Sequence, residues 1–467
     1  MSNPGEADQT PITSVRQLAD YIAEGCKSPS DFRIGTEHEK IGFRLADLQP
    51  PPYAAADSDA TVLALLKLLR DRHNGRPIED AGQIIGLRMP MATGAASISL
   101  EPAGQLELSG APLTTLHETE AELRAHLDQV HDAATGLGLG YAPLGFHPLA
   151  RRDEMPWMPK GRYAIMRRYM PKVGRLGLDM MTRTCTVQVN LDFSSERDMA
   201  RKLRVSLALQ PLATALFANS PFTEGQPNGY LSYRAEIWTD TDAHRSGIPR
   251  LMLDPAFGFI RYVEWLLDEV PMYFIYRNGR YIDLAGASFR AFIDGRLPQA
   301  EGHTATLGDF ADHMTTVFTD VRLKKFLEMR GADAGSPAMM LAQSALWVGL
   351  LYDDAALTAA EALVAGVTWE NLLAARADVP RQGLEAKLVV TKAELPLRSL
   401  VADVVAIARD GLQARARKAA GGVDETIYLR PLEEIADGTP TQAERWLDRY
   451  HNVWKRDVRR IFSETTV

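Results

Sequence analysis

Two periods alternate along this chain. Ser14-Val15-Arg16-Gln17 has the pattern of a capping box and opens a helix through about Glu24. Ile34 to Phe43 reads as a strand, with Glu37 and Glu39 on one face and His38 on the other. Val62, Leu65, Leu66 and Leu69 recur at helical spacing within 57–73. Ser97–Glu101 and Gln105–Ser109 alternate on both sides of Pro102-Ala103-Gly104, which predicts a hairpin. Pairing Glu101 with Gln105 puts Ile98, Leu100, Leu106 and Leu108 on one face; Ser99, Glu101, Gln105 and Glu107 line the other. Leu116 to Ala134 is an amphipathic helix, and Gly136-Leu137-Gly138-Leu139-Gly140 reads as its stop.

Thr184 to Phe193 alternates again, with Thr186, Gln188, Asn190 and Asp192 facing one way and Cys185, Val187, Val189, Leu191 and Phe193 the other. Ser195 caps a helix to about Phe217 that Pro211 kinks or ends. Asn278-Gly279 joins two short strands, 271–276 and 280–284. Leu323–Arg330 reads as one more strand, and from about residue 338 the chain is mostly helical. Strands interleave with helices through the first 330 residues, which predicts one mixed α+β body rather than separate beads.

Composition narrows this little. The chain has 467 residues, 46% hydrophobic and 24% charged, with a net charge of −8 that disfavours a nucleic-acid-coating role. Residues 1–13 read as a flexible tail, and 14–467 as a single domain. No secretory or transit pattern stands at the start. Two cysteines, Cys26 and Cys185, are too few for a disulfide framework and point to a cytoplasmic protein. The apolar run 338–352 is too short to span a bilayer and reads as a buried helix.

The polar strand faces carry the chemistry. Glu37, Glu39, Glu101, Glu107, Gln188 and Glu328 would crowd one sheet face with carboxylates, which repel unless cations neutralise them. Glu37 and Glu39 alone fit a solvated strand face equally well. No Gly-x-x-x-x-Gly-Lys-Ser/Thr loop occurs, so a triphosphate would need another clamp, which two or three Mg²⁺ on those carboxylates would supply. Arg167, Arg234, Arg245, Arg322, Lys324 and Arg330 are candidates for phosphates and a substrate carboxylate.

These residues carry a resemblance. Arg33–Lys40, Leu100-Glu101-Pro102, Glu107–Leu113, Tyr169–Gly174, Leu176–Met181, Arg183–Ser195, Ile237–Asp242 and Leu327–Asp333 resemble the plant-type glutamate–cysteine ligases, a form shared with proteobacteria, over residues 14 to 455. The resemblance implies a glutamine synthetase-like fold: a curved antiparallel sheet forming the active site, surrounded by helices. It implies ATP-dependent joining of the L-glutamate γ-carboxylate to the L-cysteine amine through γ-glutamyl phosphate, the first step of glutathione biosynthesis. By position, Glu37, Glu39, Glu101, Glu107 and Glu328 match metal carboxylates, with Gln188 standing where a distant branch has histidine. Arg234, Arg330 and Lys324 would act on the reacting groups; Arg234, Arg245, Arg330, Thr186 and Trp238 would bind substrate; Arg167, Arg322 and Lys324 would meet ATP.

One departure stands out. Plant members use cysteine pairs as a redox switch, but Leu284 and Ala342 replace two of those cysteines here. No intramolecular disulfide switch is expected, and Cys185 reads as a packing residue. The expected partners are small molecules only, without nucleic acid or membrane, for a monomer or homodimer. Another amine acceptor, or a non-catalytic descendant of the fold, stays open at this point.

Overall fold

The computed structural model describes residues 8–91, 94–390 and 393–466. Among them, nine strands form one antiparallel sheet: β1 (Ile34–Arg44), β2 (Arg76–Asp80), β3 (Gln83–Met91), β4 (Gly94–Leu100), β5 (Leu106–Ser109), β6 (Leu139–Ala142), β7 (Thr186–Leu191), β8 (Val321–Leu323) and β9 (Leu327–Asp333). The order is β8-β9-β7-β1-β5-β4-β3-β2, and β6 pairs with the far half of β1. The helices that position this sheet are α1 (Val15–Ala23), α2 (Val62–His73), α3 (Leu116–Gly136), α4 (Gly161–Val173), α5 (Glu196–Leu216), α6 (Tyr233–Ile237), α7 (Pro337–Leu351), α8 (Arg398–Arg415) and α9 (Gln442–Asn452).

The sheet's apolar face explains its helices. Ile98, Leu100, Leu106 and Leu108 pair across β4 and β5 in the predicted register and pack with Leu65, Leu66 and Leu69 of α2 and Val130 and Ala134 of α3. Val187, Val189, Leu191, Leu327 and Met329 pack into a larger core with α5, α7 and α8. Helix α7 is buried from Met339 to Leu351 because it is apolar around its whole circumference. It lies against β7 and β1, so the C-terminal helical part shares the main core. No helix among the described residues is long and apolar enough to cross a membrane.

Several local expectations change. Ser14 Oγ caps α1 through Gln17 N, but the Gln17 side chain turns back to Thr13 N rather than completing the box. Residues 8–13 are held to the body, with Ile12 N donating to Ala305 O at 3.0 Å and Leu307 N to Thr10 O at 2.9 Å; the rest of the predicted tail, 1–7, lies outside the described residues. Pro211 sits inside α5 without ending it, because every residue from Val205 to Leu216 is buried and packing outweighs the missing N–H. Leu323–Arg330 is a hairpin rather than a strand, with Lys324-Lys325-Phe326 as the turn between β8 and β9. Strands β2, β3 and β6 and the hairpin 387–390/393–396 have no counterpart in the sequence reading.

Candidate active site

Register decides what meets on the polar face. Glu37 of β1 opposes Ser109 of β5 and Gln188 of β7, and Glu39 opposes Glu107. Directly paired residues share a face, so both glutamates point with Glu107 and Gln188. Asn190 of β7 opposes Glu328 of β9, and Glu328 opposes Arg322 of β8. A register shift between Met329 and Ala332 places Arg330 and Gly331 in a bulge. A Cβ on Gly331 would stand 2.1 Å from Gln210 Oε1, so glycine lets the bulge sit against α5.

In the acidic half of the face Glu39 and Glu107 are buried, and Glu37 and Glu101 are partly exposed. Glu39 accepts from Thr186 N at 2.9 Å; burial, then Glu101 and Glu107, push its carboxyl well above the usual range. Glu101 N donates to Gln105 O at 2.9 Å, closing the loop that aims its side chain beside Glu107. Burial and the Glu107 charge push the Glu101 carboxyl up to about 7. Glu107 itself accepts from Ser109 Oγ at 2.6 Å and Ser99 Oγ at 3.2 Å. Glu37 stands farther along β1 and accepts from Asn190 Nδ2 at 2.9 Å. The acids are spread along the strand faces: no three His, Cys, Asp or Glu side chains among the described residues converge as a ready metal cage.

The basic half is built around Glu328, which is fully buried. Arg322 grips it with two bonds near 2.7–2.8 Å, Lys324 Nζ stands 2.9 Å away, and Arg330 bonds both Glu328 and Gln188. Burial alone would raise the Glu328 carboxyl; the three cations hold it well below its ordinary range. Glu328 thus sits among the guanidinium groups of Arg322 and Arg330 and the Lys324 ammonium, apart from the acids on β1, β4 and β5. The rest of Arg322 is spent on Thr315 O and Val317 O, so it presents no free edge for ATP.

Arg234 joins the two halves. Its Nη2 donates to Arg330 O at 3.0 Å and its backbone N to Ser220 Oγ at 3.1 Å. Asp333, at the end of β9, accepts from Asn219 N, Ser220 Oγ and Ser232 Oγ at 2.6–2.8 Å, so the start of α6 is tied to the same strand that carries Arg330. Arg234, Arg330, Trp238, Thr186, Glu39 and Glu101 line one cleft.

That cleft also holds residues the sequence reading missed: Arg162, Tyr163, Met166, Met181, Thr316 and Phe318. The signal was present. On α4, Tyr163, Met166 and Met170 mark the buried side, with Arg162 next to it; Arg167 falls on the outer face. The structure accordingly leaves Arg167 exposed, stacked 4.4 Å over Trp157 and away from the cleft. Arg245 is not brought to the cleft either. It is fully buried, its Nε 2.7 Å from Asp242 and its remaining nitrogens on Thr316 and Pro271 O, with Tyr273 under its plane at 3.9 Å. A guanidinium so engaged cannot take a substrate carboxylate.

The glutamate-cysteine ligase family 2 (GCS2) matches residues 33–464. The chloroplastic glutamate–cysteine ligase of Medicago truncatula is 48% identical over 459 residues, 97% of this chain and 85% of its own length. That of Nicotiana tabacum is 49% identical over 454 residues, covering 97% and 83%. In fold, a glutamate–cysteine ligase of Francisella tularensis solved with AMP matches with a TM-score of 0.55 at 13% identity, over 94% of this chain and 88% of that one. The relatives are named chloroplastic, which overturns the cytoplasmic expectation: a low cysteine count separates reducing from oxidising compartments, not one reducing compartment from another. With a glutamine synthetase-like sheet, acids and arginines on one face, and kinship over nearly its full length, this chain belongs to the glutamate-cysteine ligase family 2.

Proposed function

We propose that the cleft between the acidic and basic halves of the sheet is where this ligase makes γ-glutamylcysteine, with the two halves serving different charges. The γ-carboxylate oxygen of L-glutamate attacks the terminal phosphorus of ATP, the bond to ADP breaks, and γ-glutamyl phosphate results. The L-cysteine amine then attacks the acyl carbon, loses a proton, and expels inorganic phosphate. No nucleophilic side chain is required, because ATP activates the acid.

Glu39, Glu101 and Glu107, with Glu37 and Gln188 alongside, form an oxygen donor set suited to Mg²⁺, two or three ions by the family resemblance. Their fit rests on an observation: crowded on a largely buried face, they push the Glu101 carboxyl to about 7, a cost that bound cations would relieve. Bound there, Mg²⁺ supplies charge neutralisation for the triphosphate. Arg234 and Arg330 orient the glutamate and the phosphoryl group by their paired donors. Lys324 and Arg322 act behind them, keeping Glu328 and Arg330 in place. Thr186 holds Glu39, and Trp238 closes the wall. We extend this reading to one catalytic body from residue 14 onward, acting on small molecules.

The observation that carries the proposal is the placement of Glu39 and Glu101 with Arg234 and Arg330 around one cleft. ADP release measured with glutamate, with and without cysteine, tests it. Release that is faster with another amine than with cysteine would favour a different γ-glutamyl acceptor. ATP binding without glutamate-dependent release would mean a non-catalytic descendant.

A further inference from the structure

The helix Trp369–Gln382, from the C-terminal helical part, braces the segments that carry the cleft's arginines. Pro380 lies in its last turn, where carbonyls go without intrahelical partners. The Pro380 oxygen accepts from Leu231 N at 2.8 Å and Ser232 N at 3.1 Å, just before α6. At the other end Trp369 Nε1 donates to Ile248 O at 2.9 Å. Between them Arg376 turns to Asp320, the residue before β8. Its Nε donates to Oδ2 at 2.7 Å and its Nη2 to Oδ1 at 3.1 Å, a two-bond fork. Both side chains are mostly buried, 18% and 15% exposed.

Asp320 stands beside the arginines of the cleft. Its backbone is fixed on both sides: its N donates to Gly247 O at 2.8 Å, and its O accepts from Arg330 N at 3.2 Å. It lines a small cavity of about 30 Å³ that Arg234, Trp238 and Arg330 also line. Burial opposes the Arg234 charge; Asp333 and Glu39 favour it, and after them so does Asp320. Asp333 is taken up by Asn219 N, Ser220 Oγ and Ser232 Oγ, and Glu39 by Thr186 N. Asp320 is taken up by Arg376.

We infer that Arg376 is a positioning residue for the ligase reaction: it occupies both oxygens of Asp320 and so keeps this carboxylate from drawing Arg234 and Arg330 away from substrate glutamate. An unpaired, mostly buried carboxylate seeks a cation, and the fork of a guanidinium fits it as well as it fits the substrate's carboxylate. Any fraction of the protein with Arg234 turned to Asp320 has lost its glutamate donors, and apparent affinity falls by that fraction. The inference rests on the reading that Arg234 and Arg330 hold glutamate. It gives the C-terminal helical part a hand in substrate binding from outside the cleft.

Steady-state ADP release by the full chain tests this, with glutamate varied and ATP, Mg²⁺ and cysteine saturating. Arg376→Met keeps the apolar stem and removes the fork. Its KM for glutamate should rise about tenfold, the order of one charge-assisted hydrogen bond, with kcat within about twofold, because saturating glutamate displaces Asp320. Adding Asp320→Asn removes the competing charge and leaves the backbone bonds to Gly247 and Arg330 in place. The double variant should return KM to within about twofold of the wild type. Arg376→Lys keeps the charge without the fork and should fall between. If urea midpoints show Arg376→Met to be poorly folded, Arg376→Lys with and without Asp320→Asn makes the same comparison. A double variant no better than its Arg376 parent is what a merely structural role predicts; that result, or an unchanged KM in the parent, overturns the inference. Arg234→Lys tells the two failures apart. If it raises KM while the Arg376 variants do not, the inference falls alone; if it leaves KM unchanged, the glutamate reading falls and the inference with it.

Discussion

Glu328 shows how a single residue changes meaning once its neighbours are known. As a bare carboxylate it should be replaceable with loss of catalysis and little loss of fold. Gripped by Arg322, Lys324 and Arg330, it is the counter-charge of a buried cationic knot. Glu328→Ala should therefore lower stability by about 3–5 kcal/mol, the cost of leaving buried charge uncompensated, read as a lower urea midpoint. If its Ala variant keeps the wild-type midpoint and only raises the Mg²⁺ requirement, the residue is a metal ligand after all. Glu122 of α3 gives a pH prediction. It is buried, accepts from Ala111 N at 2.8 Å, and burial pushes its carboxyl from 4.5 up to about 7. A raised acid holds its proton longer in the fold than in the unfolded chain, so stability falls as pH rises from about 4.5 to 7. Glu122→Gln should stabilise the protein above pH 7, by at most about 3 kcal/mol, and the gain should disappear below pH 4.5 in denaturant titrations at several pH values.

At the scale of elements, the end of β9 sets the arginine geometry. Asp333 binds three donors from the segment leading into α6, and α6 carries Arg234 back to Arg330 O. Asp333→Ala should loosen this junction and raise KM for glutamate by about 10–100-fold, the weight of one or two charge-assisted bonds, with a smaller change in kcat. An unchanged KM with reduced soluble yield would make Asp333 a folding residue only. The β8–β9 turn matters in the same way. Read as one strand, Leu323–Arg330 would put Arg322, Lys324, Glu328 and Arg330 all on one side at even spacing. Folded back as a hairpin, it sets Arg322 directly across from Glu328.

At the scale of the whole molecule, the two cysteines lie in separate regions. Cys185 is fully buried in a cluster with Ile41, Phe43 and Ala142, and burial raises its thiol well above the usual value. Cys26 is partly exposed beside the core that contains α1. Burial, then Asp198 and Glu196, also raise the Cys26 thiol, so a thiol reagent should label the native protein slowly at one site, Cys26, and reach Cys185 only on denaturation. A Cys26–Cys185 bridge found by mass spectrometry after oxidation would contradict this.

The sequence by itself determined the elements whose periodicity is local and strong. These are the β4–β5 hairpin and its register, β1 and β7 with their polar faces, α3, α5 and the all-apolar α7. It determined that Glu37 and Glu39 share a face, because alternation follows from the backbone alone. It missed β2 and β3, where Pro77, Pro90 and scattered charges break the alternation, and β6, which is only four residues long. Only the tertiary structure decided which charges face which. Arg162 and Arg167 are five residues apart on α4, and helical phase sends one to the cleft and the other to solvent. Arg245 matched a substrate role in type, yet the loop around Thr316 encloses it completely. Charge pairing depends on distances between segments far apart in sequence, and period carries no information about those distances.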